Sequence, residues 1–364
     1  MRDWLAAELL HLLSIPSVTG AEAAILRHLE ARAATFNLPA TRQYLDAHRW
    51  NLLLNPRPAP ELLLVTHVDT VPETIQGENC PVRREGDLIR GRGAADTKGC
   101  IAALLGLMHL AAAAGWDWTS LPVTITFTAD EEKGGQGSDL LGESIAAAAA
   151  VVLEPTELAV CPVQAGSFEA EVTVPGRAAH GSVFEAGENA IMKAAALIRA
   201  LEHLPWTADA HPRLGRAGCS VQWISGGSPE LAIPNACQFS VFCRVLPGQD
   251  MEAAIQSFTS LCRRYNARCL VTDVSPAFEL DDDHPLVREL LAACAGVLPN
   301  PRLAGMPSWT DAENLAYYGI PSVVFGPGRL AACHTARERV SLRDIEGASR
   351  VLFNLVDRKR KDPS

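Results

Sequence analysis

Glu61-Leu62-Leu63-Leu64-Val65-Thr66-His67-Val68-Asp69-Thr70-Val71-Pro72 begins as an apolar run of strand length and ends on a histidine and an aspartate one residue apart. The run from Glu61 to Val68 reads as a strand. In an open α/β sheet the crevice that receives ligands lies beyond the carboxyl ends of the strands. His67 and Asp69 therefore stand where functional side chains are expected.

The surrounding chain sets this strand in context. Residues 3 to 14 and 21 to 35 carry the apolar spacing of helices, separated by Pro16 and Gly20. Thr97 to Ala114 is rich in alanine and leucine and reads as a buried helix; Leu121 to Thr128 and Ala149 to Leu153 read as strands. Strands alternating with helices predict an α/β domain with helices on both faces of its sheet. The texture changes near Gly166, where Phe168-Glu169-Ala170-Glu171-Val172-Thr173-Val174 alternates apolar and polar, as a half-exposed strand does. A helix over 188–203, strands over 218–224 and 236–245, and a helix over 250–264 follow. This β-α-β-β-α-β rhythm predicts a small α+β domain with an open antiparallel sheet. After Pro276 the α/β texture returns, with a helix at 285–297 and a strand at Ser322 to Phe325. One domain inserted into another is the expected architecture: 1–165 and 277–364 as the α/β domain, 166–276 as the insert.

Length agrees with two domains, since 364 residues exceed what one core usually serves. A net charge of -10 argues against nucleic acid as a partner. The basic run Arg358-Lys359-Arg360-Lys361 reads as a solvated tail. The longest apolar run, Ile101 to Ala114, contains His109 and is too short for a bilayer, so no membrane association is expected. Met1-Arg2-Asp3-Trp4 lacks a signal-peptide pattern. Ten cysteines without Cys-x-x-Cys spacing read as reduced, buried thiols, and with them a cytoplasmic location.

Five stretches carry possible ligands: His67-Val68-Asp69; Gly91-Arg92-Gly93-Ala94-Ala95-Asp96-Thr97-Lys98-Gly99; Asp130-Glu131-Glu132; Glu154-Pro155; and Cys333-His334-Thr335. Taken singly they say little. A His-x-Asp is more often a satisfied surface pair, a Glu-Glu a solvated face, and a Glu-Pro a turn. Three of them directly follow an apolar strand, however, so they can converge in space. Converging carboxylates repel unless a cation lies among them, and histidines mixed with carboxylates suit zinc. Gly91-x-Gly93 lacks the third glycine of a dinucleotide loop, and no Gly-x-Ser-x-Gly supports a serine nucleophile.

Together, and in this order, the five stretches resemble the motif set of the M20 metallopeptidases, a family that includes acetylornithine deacetylase, succinyl-diaminopimelate desuccinylase, aminoacylases and glutamate carboxypeptidase. The resemblance implies a zinc-peptidase-like catalytic domain with a mixed sheet, and an inserted lid and dimerisation domain. It implies two divalent ions, zinc first, with cobalt or manganese as alternatives. His67 and Glu154 would bind one, Glu132 and His334 the other, and Asp96 both. Glu131 would be the general acid/base, and Asp69 would orient the His67 imidazole. Within the insert, His180 matches the lid histidine that donates to the oxyanion, and Asn235 and Arg244 match substrate-binding positions. A cis peptide between Asp96 and Thr97 and a homodimer are also implied.

The substrate so implied is a small N-acyl amino acid. Ser308-Trp309-Thr310-Asp311-Ala312-Glu313 stands where the deacetylase and desuccinylase branch usually reads Thr-Ser-Asp-Ala. Its Trp309 form looks closer to acetylornithine deacetylase-like members, which points to arginine biosynthesis. Desuccinylase, another N-acyl-amino-acid hydrolase, and a dipeptidase or carboxypeptidase are the alternatives. A non-catalytic binding relative would be expected to have lost ligands or the base, and all are present here.

Overall fold

The structure is a computed structural model that describes residues 1–75 and 77–361. The chain divides into two compact units. Met1–Pro162, Leu280–Ala304 and the chain from Thr310 onward form the first; Val163–Glu279 and Gly305–Trp309 form the second.

In the first unit the Leu62–His67 strand is buried at every position. Successive side chains of a strand point to opposite faces, so both faces of the sheet are covered here. The strand runs parallel to Val123–Thr128 on one side and Ala150–Val152 on the other. Ser322–Val324 continues the parallel set beyond Ala150–Val152. The flanks are antiparallel: Trp50–Leu54 against Val123–Thr128, Ala40–Tyr44 against Trp50–Leu54, and Cys161 opposite Val324. The sheet is therefore mixed, with a parallel centre whose strands end together: His67 lies opposite Thr128.

Helices Arg2–Leu13, Lys98–Ala113 and Leu342–Lys361 pack on one another. The last two approach closely at Gly106, where an added Cβ would come within 2.2 Å of Ser349 Oγ. The basic run is largely exposed, as a solvated segment would be, and it is also helical. Arg358 to Lys361 form the last turn of the Leu342–Lys361 helix, where cations complement the helix dipole. Lys359 Nζ also lies 2.9 Å from Glu289 Oε2. No helix among the described residues is long and apolar enough to cross a membrane.

The second unit holds an antiparallel sheet in the order Gly218–Gly226, Ala236–Val245, Gly166–Pro175, Arg268–Ser275. Helices Ala190–Leu201 and Met251–Arg264 pack against it and against each other. Both start on side-chain caps, Asn189 and Asp250, which accept backbone N–H bonds. Along Gly166–Pro175, Phe168, Ala170, Val172 and Val174 are buried while Glu169 and Glu171 are exposed. Phe168 anchors this core, edge-on to Trp206 and Phe258 at 5.9 and 5.4 Å. Its apolar cluster is separate from that of the first unit.

Candidate metal centre and active site

Three donors hang from the carboxyl ends of the three central parallel strands. His67 is the last residue of its strand. Val123–Thr128 leads into Asp130, which takes a left-handed φ of 73° and turns the chain so that Glu131 and Glu132 follow. Glu154 comes two residues after Ala150–Val152. The loop from Leu88–Arg90 to the Lys98–Ala113 helix delivers Asp96. Gly93 in that loop has φ +81°, and a Cβ there would stand 2.8 Å from Thr70 Cγ2, so glycine is required. The Asp96–Thr97 peptide is cis. His334, at φ 57°, follows the short turn Leu330–Ala332.

These side chains form two groups of three, His67/Asp96/Glu154 and Asp96/Glu132/His334, each with donor atoms within 4.8 Å of one another. Asp96 belongs to both. Its Oδ1 lies 3.1 Å from His67 Nε2, and its Oδ2 lies 3.4 Å from His334 Nε2. Glu154 Oε1 is 3.5 Å from His67 Nε2, and Glu132 Oε2 is 3.2 Å from His334 Nε2. Glu131 stands beside the first group but outside both, with Oε2 at 3.8 Å from His67 Nε2.

A divalent ion fits each group. Ligand atoms at ~2.0–2.2 Å from a tetrahedral ion are separated by roughly 3.3–3.6 Å, close to the spacings above. His67 Nδ1 lies 3.1 Å from the Asp69 main-chain oxygen, which only accepts, so Nδ1 carries the proton. In the neutral ring Nε2 then presents a lone pair to the Asp96 and Glu154 carboxylates, an opposition that a cation resolves. Glu154 Oε1 is buried and has no hydrogen-bond partner among the described residues.

The electrostatics agree. Burial lifts the Glu154 carboxyl well above the usual range; His67 opposes this, and Asp96, Asp311 and Glu132 add to it. Burial does the same to Glu131, again opposed by His67 and reinforced by Glu154, Glu132 and Asp311. Burial disfavours a charge on His67, but the Glu131 and Glu154 carboxylates, with hydrogen bonds to Asp69 and Asp96, hold it well above its ordinary value. Hydrogen bonds to Asp96 and Glu132 raise His334 to about 10. Buried carboxyls and imidazoles that compete for protons in this way are what a centre of positive charge would relieve.

The supporting residues were only partly anticipated. Asp69 Oδ1 lies 3.4 Å from His67 Nδ1, farther than the Asp69 main-chain oxygen at 3.1 Å. The Asp69 carboxylate accepts the N–H of Glu131 on Oδ1 at 3.2 Å, and the N–H of Glu132 and the Thr19 hydroxyl on Oδ2 at 3.1 and 2.7 Å. Asp311 is buried, accepts the Thr128 hydroxyl at 2.5 Å, and leaves Oδ1 without a hydrogen bond among the described residues. Glu338, buried against Arg92, carried no sequence signal, because it sits among charged neighbours that read as surface.

His180, Asn235 and Arg244 belong to the second unit. His180 Nδ1 accepts the Ser182 N–H at 3.2 Å and lies 2.9 Å from Ser182 Oγ. Because a backbone N–H only donates, the neutral ring carries its proton on Nε2. The Asn235 carbonyl accepts the Gly176 N–H. Arg244 donates from Nε and Nη2 to the Arg216 carbonyl.

Comparison with known proteins agrees with this geometry. Residues 63–358 match the peptidase family M20/M25/M40. The chain is 32% identical to acetylornithine deacetylase of Myxococcus xanthus over 310 residues, covering 81% of this chain and 79% of that protein. It is 29% identical over 348 residues to a Mycobacterium tuberculosis protein named as a succinyl-diaminopimelate desuccinylase, covering 93% of each. Its fold is similar to that of a dinuclear-metal-binding M20 peptidase of Bacillus subtilis, at a TM-score of 0.68 and 15% identity, covering 98% of this chain and 97% of that one. With this match across most of its length, and two donor groups joined at one aspartate, the chain belongs to peptidase family M20/M25/M40, whose members are metal-dependent amide hydrolases.

Proposed function

We propose that the protein removes the acyl group from a small N-acyl amino acid at a dinuclear zinc centre, with N-acetylornithine as the leading substrate. Cobalt or manganese are the alternative ions. The observation that carries this reading is the sharing of Asp96 by two donor groups, with Glu131 beside them and outside both. His67 and Glu154 would hold one ion, Glu132 and His334 the other, and Asp96 both. When bound, such a pair supplies Lewis acidity at the amide carbonyl and lowers the pKa of water from 15.7 toward ~7.

The chain's own residues do the rest. Glu131 takes a proton from the attacking water and passes it to the leaving amine. Asp69 holds the backbone of Glu131 and Glu132, so base and ligand keep a fixed relation. From the insert, His180 would donate its Nε2–H to the oxyanion, while Arg244 and Asn235 would bind the substrate, the guanidinium gripping a carboxylate. In a homodimer, which this reading includes, the insert serves as lid and dimerisation domain. Deacetylation of N-acetylornithine would belong to arginine biosynthesis in the cytoplasm.

Similarity to the Myxococcus deacetylase supports the acetyl substrate. The longer alignment with the desuccinylase-named protein favours N-succinyl-diaminopimelate as a second reading. Metal analysis combined with turnover on N-acetylornithine, N-succinyl-diaminopimelate and a set of dipeptides tests the proposal. Turnover confined to dipeptides would refute the acyl-amino-acid substrate, and a chain that binds no ion pair would refute the centre.

A further inference from the structure

Glu338 lies four residues beyond His334 in the sequence and is in neither donor group. Its side chain has 0% exposure. Oε2 accepts from Arg92 Nη1 at 2.7 Å, and Oε1 accepts the backbone N–H groups of Ala95 and Asp96 at 3.2 and 3.3 Å. The main chain adds a further tie, since the Gly91 N–H donates to the Glu338 carbonyl at 3.3 Å. Every one of these partners lies in the loop that delivers Asp96. Glu338 itself sits on the segment that delivers His334. One residue thus fastens the carrier of the shared carboxylate to the carrier of a histidine from the second group.

A buried ion pair is a poor source of net stability, because the desolvation of both charges offsets their attraction. Its value here is geometric. The two backbone N–H groups fix the two successive peptide planes that lead into Asp96, one on each side of Ala95, and so the approach of the chain that carries its carboxylate. The geometry points to Glu338 as a positioning residue that pre-organises Asp96 to bridge two ions, an inference that rests on the dinuclear reading. Partners of this kind, one shell out from the ligands, typically set metal affinity by ~10–100-fold.

Glu338→Gln keeps the shape and replaces one oxygen by an NH2. That NH2 must face either Arg92 or the two backbone N–H groups, donor against donor, so one side of the fastening fails in either orientation. Two measurements on metal-free protein test the idea: calorimetric titration with Zn2+ alone, and amide hydrogen exchange over residues 91–97. The variant should bind ions about tenfold more weakly or worse and exchange faster in that segment, while exchange in the Leu342–Lys361 helix stays as in the wild type. A role confined to fold stability would instead raise exchange in both places, and that result would overturn the proposal. So would a variant with wild-type affinity and wild-type exchange. A wild-type chain that binds no ion pair overturns the dinuclear reading and this inference with it. If Glu338→Gln does not fold, the metal-free wild type decides: the Ala95 and Asp96 amides must be protected, and exchange at open-loop rates would dismiss the fastening.

Discussion

Replacing Glu131 with glutamine should separate catalysis from metal binding and reverse the usual sign of a core substitution. Glu131 is outside both donor groups, and the bond that holds its backbone runs from its own N–H to Asp69 Oδ1. Glutamine leaves that bond and the side-chain volume intact, so both ions should remain. Loss of a general base lowers turnover by ~10²–10⁴-fold, equivalent to ~2.7–5.4 kcal/mol of transition-state stabilisation. Stability should move the other way. Burial and the neighbouring acids hold the Glu131 carboxyl well above its ordinary value of 4.5. An acid raised in the folded state binds more protons there than in the unfolded chain, so it weakens the fold as pH climbs from its unfolded value through its folded one. Glutamine removes this liability. Metal-free Glu131→Gln should therefore melt above metal-free wild type at pH 7, and the gap should close near pH 4, where both carboxyl states are protonated. Inductively coupled plasma analysis, steady-state kinetics and melting scans at the two pH values provide the readouts. Wild-type turnover would place the base elsewhere, and a metal-free variant that melts lower at pH 7 would refute the electrostatic account.

Asp96→Ala should lose both ions rather than one, because it removes the carboxylate common to the two groups; two ions still held tightly, as counted by metal analysis after dialysis, would contradict the shared-ligand assignment. Affinity for the ion pair should rise with pH. His334, held up at about 10, and His67, raised well above its usual value, must each release a proton to bind metal. Titration calorimetry in buffers of different ionisation enthalpy should detect protons released on binding of the ion pair at pH 8, and a release near zero would refute the assignment. Mixing inactive Glu131→Ala and His180→Ala chains under subunit exchange should restore roughly a quarter of wild-type activity if half the dimers are mixed and His180 serves the partner's site. No recovery would assign His180 to its own chain or the protein to a monomer.

The elements legible in the sequence are those with strong local pattern. Leu62–His67 and Lys98–Ala113 are buried almost throughout, so their composition alone marks them, and the alternation in Gly166–Pro175 mirrors its burial. Ala40–Tyr44 gave no such signal. It is a polar, half-exposed strand at the sheet's edge, held by pairing with Trp50–Leu54 rather than by an apolar face. The site divides in the same way. Ligand-type residues that follow strands announce themselves, since the strand fixes where the next side chains go. Glu338 bonds to the Asp96 backbone across 242 residues of sequence, and Asp311 meets Thr128 across 183. No local rule anticipates such pairings, because both carboxylates gain their meaning from what the fold brings opposite them.

The two oxygens of Asp69 divide their bonds between adjacent residues, the Glu131 N–H on Oδ1 and the Glu132 N–H on Oδ2. With Glu131 as the proposed base and Glu132 as a proposed ligand, proton transfer and ion retention would share one mechanical support. A change that loosens Asp69 cannot retune the base while sparing the ligand, nor shift ion preference without disturbing the proton's path. Laboratory selection for a different ion in this scaffold would drag the pH optimum along with it, unless it leaves Asp69 untouched and works through His334 on its separate loop.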